Sequence, residues 1–383
     1  MRILHTADWH LGKMFYGEYL TDEQAYVLLN QFLPMIREEH IDAVILAGDV
    51  YDRSLPPTAA VELFDEVATK ITAEMGVPFF VISGNHDSAA RLSFGSRLLE
   101  KQGLYISGEL DKLAGAVQLE DEDGPVAFLS LPFAEPAVVR QFFHDDTIHS
   151  HEDALRRLMD YQSNRLPCCS RTVCIAHAFA AGGLTCDSER PLSIGGSDAV
   201  SASLFDGFSY TALGHLHGPQ KVKQDTIRYA GSLLKYSFGE SRQKKGAVVI
   251  QLDGAGQATT TILPFVPQHD VRIIEGTFDA IMQAADDRTD DYVLIRLADC
   301  EPILDGMAKV RRKYSHAMVL ETPNRKATAK TDRQFDLRKT TERQLFSSFA
   351  AAMQDGRSLT EGEQACVDEL WKTLLTQEGE GLL

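Results

Sequence analysis

The first half of the chain alternates short apolar runs with longer segments of helical periodicity. Each run is rich in β-forming residues and bounded by turn residues, which predicts buried strands. The predicted strands are residues 2–7, 42–47, 78–83, 126–131, 172–177 and 209–214. Apolar residues at helical spacing predict helices over 22–40, 57–74 and 89–102. Strands at 226–230 and 246–252 follow closely, and this order predicts a two-sheet α/β sandwich.

The pattern changes near residues 264–270, where two prolines interrupt the sheet pattern. Beyond them the sequence predicts a small αβ domain. Its expected strands lie near 270–275, 292–297 and 317–322, and its expected helices near 278–287 and 303–314. Because a domain of about 60 residues buries little apolar surface by itself, we expect it to pack on the first domain.

The last part of the chain predicts a basic linker at 324–334 and two amphipathic helices within 335–383. Their apolar positions are Phe335, Leu345, Phe346, Phe349 and Met353 in the first, and Cys366, Leu370, Trp371, Leu374 and Leu375 in the second. An exposed apolar helix face is typical of a partner-binding segment. Docking back onto the chain's own domain is the alternative. The expected domains are therefore 1–265, 266–323 and 335–383, with 324–334 as the linker.

Polar motifs follow the predicted strands at the points where they end. They are Asp8-Trp9-His10, Gly48-Asp49, Gly84-Asn85-His86-Asp87, His177 and Gly214-His215-Leu216-His217. Taken singly, each of these motifs is more consistent with a turn or a strand end than with a ligand. In open α/β sheets, however, ligand sites gather beyond the carboxyl ends of strands, so five such motifs predict one shared site.

The residue types of this site favour a metal centre. Asp, Asn and His supply oxygen and nitrogen ligands without a cysteine, a set that suits manganese, iron or zinc outside a structural zinc site. The candidate ligands are Asp8, His10, Asp49, Asn85, His177, His215 and His217. They exceed what one ion needs and fit two ions that share a carboxylate. We assign Asp8, His10 and His217 to one ion. The other ion receives Asn85, His177 and His215, and Asp49 bridges the two.

Composition and charge narrow the class of protein. No apolar run reaches the ~20 residues of a membrane helix, and the first residues do not resemble a signal peptide. The six cysteines form no CxxC pair, so we expect reduced thiols in a cytoplasmic protein. The net charge of -17 speaks against nucleic acid as a partner. However, residues 309–343 carry 11 Lys and Arg against 4 Asp and Glu, and this basic segment is either a solvated face or a contact for a polyanion.

The ordered series D-x-H, GD-x-x-D, GNHD, H and GHxH resembles the calcineurin-like metallophosphoesterases. Within them, the chain is most similar to the SbcD type of nuclease subunit, the bacterial relative of the nuclease in the double-strand-break repair complex. The segments that carry this resemblance are HTADWHLGK (5–13), GDVYDRSLPP (48–57), ISGNHDS (82–88), SERPLSIGG (188–196), ALGHLHGPQ (212–220) and YAGSLLKYSFGE (229–240). They cover the first 250 or so residues, and the small domain is similar by position and size only.

The resemblance implies a function and further residues. It implies a manganese-dependent DNA nuclease that works by two-metal hydrolysis on double-stranded ends, single strands and hairpins. His86 matches a histidine of the family that does not bind metal and that orients the phosphate, with Asp87 expected to hold its ring. The small domain would be the family's capping domain, which helps to select DNA ends. The C-terminal helices would bind an SbcC-type ABC ATPase, and a homodimer is expected.

Four residues near the ligand loops are candidates for DNA contact, namely Tyr16, Arg53, Arg91 and Lys235. Two other functions use the same residues in different ways. A phosphomonoesterase or cyclic-nucleotide phosphodiesterase would employ the same dimetal site on a small ester, without need of the basic segment. A scaffold in a repair complex would carry a vestigial site, although the complete set of seven ligands argues against it.

Overall fold

The computed structural model describes residues 1–113, 116–164, 169–189, 199–301 and 303–323, and beyond them residues 346, 350, 359, 360, 362–365 and 367. The predicted linker and nearly all of the predicted C-terminal helices lie outside these residues. Residues 1–298 and 303–323 form one compact unit. Within the described residues, no helix combines the length and apolar character that crossing a membrane requires.

In the described part of this unit, the strands build two large sheets and three small ones. In chain order they are β1 (Arg2–Thr6), β2 (Met14–Phe15), β3 (Glu18–Tyr19), β4 (Ala43–Leu46), β5 (Phe79–Ile82), β6 (Leu104–Ser107), β7 (Val117–Asp121), β8 (Gly124–Leu131), β9 (Thr172–His177), β10 (Phe179–Ala180), β11 (Ala199–Val200), β12 (Tyr210–Gly214), β13 (Gln220–Val222), β14 (Gln224–Tyr229), β15 (Gly246–Leu252), β16 (Ala258–Pro264), β17 (Val271–Gly276), β18 (Tyr292–Leu297) and β19 (Ala317–Glu321). The predicted strands of the sandwich are confirmed to within about three residues at each end, the scatter expected for element boundaries.

The α-helices lie between the strands and cover the outer faces of the sheets. They are α1 (Thr21–Val27), α2 (Leu33–Glu38), α3 (Thr58–Thr69), α4 (Ala89–Leu92), α5 (Ser96–Leu99), α6 (Pro136–Phe143), α7 (His151–Ser163), α8 (Phe278–Gln283) and α9 (Gly306–Arg311). Single π-helical turns continue α1 at Leu28–Phe32 and α3 at Lys70–Glu74. Short 3-10 turns occupy Glu100–Gln102, Leu110–Lys112, Ala202–Phe205 and Phe238–Glu240.

The two large sheets pack face to face. One sheet has the order β16-β15-β1-β4-β5-β6, and the other has the order β13-β14-β12-β9-β8-β7. Alternate residues such as Ile3, Ile45 and Phe80 point into the space between the sheets, where Phe80 stacks on Phe128 with ring centres 4.3 Å apart. Their neighbours along each strand face the helices instead. This period-2 division confirms the predicted α/β sandwich.

The small sheet has the order β17-β18-β19, and its strands are parallel. One face packs on α8 and α9 around Val293 and Ile295. On the other face, Tyr292 and Leu294 join the core of the first sheet and its helices. Because both faces of β18 are buried, its sequence reads as a nearly continuous apolar run. The small αβ region therefore packs on the sandwich, and this expectation is confirmed.

The predicted helix over 89–102 differs from the structure. It is broken into α4, α5 and a 3-10 turn, because Gly95 has a φ of +72° and Phe94 before it is exposed. A residue in the left-handed region ends a helix, so the helical spacing of the apolar residues does not extend through this point. The sequence also failed to indicate the edge strands β7 and β16, whose alternating exposed polar residues weaken the apolar signal.

Candidate metal centre

The five predicted motifs meet at one end of the sandwich. Strands β1, β4 and β5 are parallel neighbours, and so are β9 and β12 in the other sheet, so their carboxyl ends point the same way within each sheet. Two hydrogen bonds join the sheets at this end. The backbone N–H of His215 donates to Asp8 Oδ1 over 2.9 Å, and His177 Nδ1 donates to the Ala47 carbonyl over 2.9 Å.

Asp8 Oδ1 lies 3.8 Å from His177 Nδ1, and five candidate ligands, His177 among them, form two groups around Asp49. Its Oδ2 lies 3.6 Å from His10 Nε2 and also 3.6 Å from His177 Nε2. On one side, His10 Nε2 faces His217 Nε2 at 3.0 Å. On the other side, Asn85 Oδ1 lies 2.9 Å from His177 Nε2 and 3.3 Å from His215 Nδ1. The position of Asp49 between the groups is the one that a shared carboxylate requires.

The backbone of this cluster is strained. Asp8, His10, Asp49 and His215 all have positive φ, at 51°, 45°, 48° and 111°. Such conformations cost of order 1–3 kcal/mol each in non-glycine residues and are kept where surrounding structure enforces them, often at functional sites.

Two glycines beside the ligands are required by space. A Cβ at Gly84 would lie 2.1 Å from Asp49 Oδ1, and one at Gly48 would lie 2.2 Å from His177 Nδ1. Gly48 also has a φ of +89°. These residues therefore do more than end their strands, because any side chain there would displace a candidate ligand.

Burial controls the protonation of the cluster. Burial raises the pKa of Asp8, and the neighbouring Asp49 carboxylate raises it further. Burial also lowers the pKa of His10 and of His177, and it lowers the pKa of His215 to about 3. The imidazoles of His10, His177 and His215 are therefore neutral, the form in which they bind metal ions.

The donor set fits cations on two further observations. Because His177 donates from Nδ1, its Nε2 carries a lone pair, yet this nitrogen faces Asn85 Oδ1, another acceptor. His10 Nδ1 is buried and has no hydrogen-bond partner among the residues that the structure describes. A cation against His10 Nε2 would place the ring proton on Nδ1, which lies 3.7 Å from Asp52 Oδ1. A cation bound between His177 Nε2 and Asn85 Oδ1 would account for these two facing acceptors.

Comparison with known proteins identifies the family. A family model described as calcineurin-like phosphoesterase matches residues 1–163, and one described as the type 5 capsule protein repressor C-terminal domain (SbcD_C) matches residues 267–354. A relative from Staphylococcus epidermidis, named as the D subunit of the nuclease SbcCD, is 35% identical over 322 residues, which cover 84% of this chain and 85% of the relative. The chain belongs to the SbcD family of nuclease subunits. This membership makes it a metal-dependent nuclease.

Two other similarities complete the comparison. A protein of the same name from Staphylococcus saprophyticus is 34% identical over 322 residues and covers 84% of each chain. Among solved structures, GAP50, the anchor in the inner membrane complex of Plasmodium, has a TM-score of 0.41 and 16% identity, and covers 69% of this chain and 84% of that chain. At that TM-score, the second similarity carries no information about function.

In this SbcD-family chain, His86 is placed beside the first group of ligands. Its ring lies edge-on to that of His10, with ring centres 4.7 Å apart, and its Nδ1 donates to the Asp52 carbonyl over 2.9 Å. Asp87 was expected to hold this ring, but its carboxylate accepts backbone N–H groups of Val50, Tyr51 and Gly84 at 2.9 to 3.1 Å. Asp87 therefore fastens two ligand loops together, and the Asp52 carbonyl orients His86.

Two further residues support the loop of Asp8 and His10, and neither was predicted from the sequence. The side-chain amide of Gln24, on α1, donates to the carbonyls of Trp9 and His10 over 3.0 and 2.9 Å. Tyr236 donates to the Trp9 carbonyl, and its ring contacts those of His10 and His217. A polar Gln at a buried helix position was the available signal, because a buried amide needs partners.

The four candidates for DNA contact differ in their surroundings. Tyr16 and Arg53 are 59% and 68% exposed near the ligand loops, and Arg91 is exposed on α4. Lys235, in contrast, is nearly buried, and its Nζ lies 2.8 Å from Asp270 and 2.8 Å from the Ser241 carbonyl. Contact of Lys235 with DNA stays a prediction, and in the structure this ammonium group pairs with Asp270, which directly precedes β17.

Proposed function

We propose that the chain is the nuclease subunit of an SbcCD-type complex and hydrolyses DNA phosphodiester bonds at a dimetal centre. The proposal is carried by the two ligand groups that share Asp49. Asp8, His10 and His217 would hold one ion, and Asn85, His177 and His215 the other. When bound, the ions would supply a water of lowered pKa as nucleophile and neutralise charge on the phosphate. Manganese is the proposed metal, with iron and zinc as alternatives.

His86 is the proposed catalytic residue of this chain. Because its Nδ1 proton is donated to the Asp52 carbonyl, its Nε2 can donate a hydrogen bond only as an imidazolium. In that form it would stabilise the oxygen that leaves phosphorus as the DNA strand is cut. Asp87 acts indirectly, by holding the loop of Gly84 against that of Val50.

The proposed substrates are double-stranded ends, cut as an exonuclease, and single strands and hairpins, cut as an endonuclease. Tyr16, Arg53 and Arg91 are the proposed contacts to DNA. The region 266–323 is the proposed capping domain. We propose that residues 335–383 bind an SbcC-type ATPase, in keeping with the naming of the relatives as subunits of SbcCD. A cytoplasmic location suits all of these activities.

We also propose a homodimer. Within the described residues, three large apolar side chains lie exposed close together in sequence around the break between α4 and α5. They are Phe94, 86% exposed, Leu98, 75% exposed, and Leu99. Burial of such side chains against a second copy would stabilise a dimer by the hydrophobic effect. Sedimentation should show the dimer, and Phe94→Glu combined with Leu98→Glu should give monomers.

The proposed function is tested by cleavage of a DNA hairpin, a single strand and a chromogenic phosphodiester, with Mn²⁺ or Mg²⁺ added. We expect manganese-dependent cutting of DNA by the wild-type chain. His86→Ala should lower kcat by about 10²–10⁴-fold, the usual range for loss of a general acid. The variant should retain both ions when its metal content is measured by mass spectrometry.

Two results would contradict this proposal. Turnover of the small ester without DNA cutting, even after addition of the ATPase partner, would indicate a small-ester phosphodiesterase instead. Loss of both ions in His86→Ala would make His86 a structural or ligating residue. Salt provides a further distinction, because DNA binding through Arg and Lys weakens steeply with salt and binding of a small ester does not.

A further inference from the structure

Two motifs of the sequence contribute no metal ligand, yet residues from both lie close to His217. The first, SERPLSIGG, supplies Ser188 and Glu189. The second, YAGSLLKYSFGE, supplies Glu240, which is fully buried. Ser188 Oγ lies 2.7 Å from His217 Nδ1 and 2.5 Å from Glu240 Oε1. These contacts form a line from a carboxylate through a hydroxyl to the imidazole.

The direction of these hydrogen bonds follows from the chemistry of the groups. A carboxylate only accepts, so the Ser188 hydroxyl donates its single proton to Glu240. Ser188 Oγ must then accept from His217, which places the ring proton on Nδ1. The other nitrogen, Nε2, is left with its lone pair. This is the nitrogen that faces His10 in the metal centre.

The main chain of His217 is held as firmly as its ring. Its N–H donates to Glu189 Oε1 over 2.6 Å, and its carbonyl accepts from Lys245 Nζ over 2.7 Å. Lys245 is buried and also donates to Glu240 Oε2. One network of hydrogen bonds therefore fixes both the hydroxyl of Ser188 and the backbone of His217. Within this network, the positive charge of Lys245 neutralises the negative charge of Glu240.

We propose that Ser188, oriented by Glu240, is a positioning residue that fixes the tautomer and rotation of His217 for metal binding. The proposal rests on the proposed role of His217 as a ligand. His177, in the other group, has its Nδ1 proton held by the Ala47 carbonyl, which no substitution removes. Loss of Ser188 should therefore lower the affinity for the ion that His217 binds and leave the affinity for the other ion unchanged. Partners of this kind change metal affinity by about 10–100-fold.

The test is calorimetric titration of the metal-free protein with MnCl₂. We expect two ions in the wild-type chain, and in Ser188→Ala one of the two dissociation constants should rise about 10–100-fold. Ser188→Thr keeps the hydroxyl and should bind nearly as the wild type does. Ser203→Ala, at an exposed serine, is the matched control and should bind as the wild type does. Nitrogen-15 spectra of the histidines should show that His217 loses its single tautomer in Ser188→Ala only.

The outcomes separate this proposal from the proposed function. If the wild-type chain binds no Mn²⁺, the dimetal centre itself is wrong. If it binds two ions and Ser188→Ala binds them with unchanged affinity, the positioning role is overturned. A fall in both affinities that Ser188→Thr does not restore would also overturn it, since the hydroxyl would then not be the active group. Circular dichroism of each variant in EDTA shows whether the fold is intact.

Discussion

The two ends of the sandwich bury charge in opposite ways. At the end where β9 begins, Arg171 forms two hydrogen bonds of 2.6 Å with the carboxylate of Asp121, and the amino group of Met1 lies 2.7 Å from the same carboxylate. Arg171 is 2% exposed and Asp121 is 13% exposed. At the end where the strands finish, Asp8 and Asp49 are buried among the neutral imidazoles of His10, His177 and His215. One end therefore contains its own counter-charges, whereas the other surrounds its carboxylates with uncharged rings.

The pKa shifts express this difference. Hydrogen bonding to Arg171 holds the pKa of Asp121 below its usual range. Burial and the charge of Asp49 raise the pKa of Asp8 well above it. A carboxylate whose ionised form is stabilised by other groups of the protein contributes to the stability of the fold. A buried carboxylate whose ionised form is destabilised is stabilised when a cation binds to it. For Asp121 and Asp8, the direction of the pKa shift therefore matches the difference between an ion pair that stabilises the fold and a carboxylate in a candidate metal centre.

The largest predicted effect is a loss of metal binding at the end of the sandwich that carries the metal centre. Asp49→Asn should lose at least one metal ion, because no second carboxylate occupies the position between His10 and His177 in the described structure. We expect manganese-dependent cleavage to fall by at least about 10³-fold, since loss of an ion removes several kcal/mol of charge stabilisation. Metal content and cleavage are measured on the same preparation.

The same variant should not destabilise the metal-free protein. Asparagine keeps an oxygen for the N–H of His86, which donates to Asp49 Oδ1 over 2.8 Å, and it removes repulsion with Asp8. Its melting temperature in EDTA should equal or exceed that of the wild type. A clear fall in that temperature would show that Asp49 serves the fold, and the contrast between the two ends would be lost.

A smaller effect is predicted at the other end. Asp121→Asn leaves the buried guanidinium of Arg171 without its charge partner. We expect a loss of about 3 kcal/mol in the free energy of unfolding, the lower end of the range for a broken buried pair because Asp121 is partly exposed. Urea unfolding measures this loss, and manganese binding should be unchanged. The control is Asp225→Asn, whose pair with Lys221 is exposed and should contribute very little.

The sequence predicted the candidate metal ligands more completely than the residues that hold those ligands in place. Asp49 and His177 stand next to strand ends, where a polar residue after an apolar run is conspicuous. Ser188 and Gln24 act through hydrogen bonds to residues that lie 29 and 15 positions away, and no local sequence pattern indicates partners at such distances. Roles of this kind depend on tertiary contacts, which is why two motifs could be recognised and not explained.

The fold shows the same division between features that a local sequence pattern indicates and features that depend on tertiary contacts. Buried parallel strands such as β4 and β9 have continuous apolar runs, and these runs were found. The break at Gly95 was missed, because a glycine within a helical pattern does not reveal whether its φ will be positive. The pairing of Lys235 with Asp270 depends on how the small sheet docks, which residue spacing does not specify.

The last prediction sharpens the comparison by its dependence on pH. The pKa of Asp121 is lower in the folded state than in the unfolded chain, so its ionisation contributes stability above the unfolded pKa of about 3.9. That contribution is lost as the pH falls through the folded pKa. An asparagine side chain does not titrate, so the difference in unfolding free energy between wild type and Asp121→Asn should be constant from about pH 5 to pH 7 and shrink below about pH 4. Urea unfolding across this range measures it, and a difference that persists undiminished to about pH 2 would mean that packing, rather than charge, holds this end of the sandwich together.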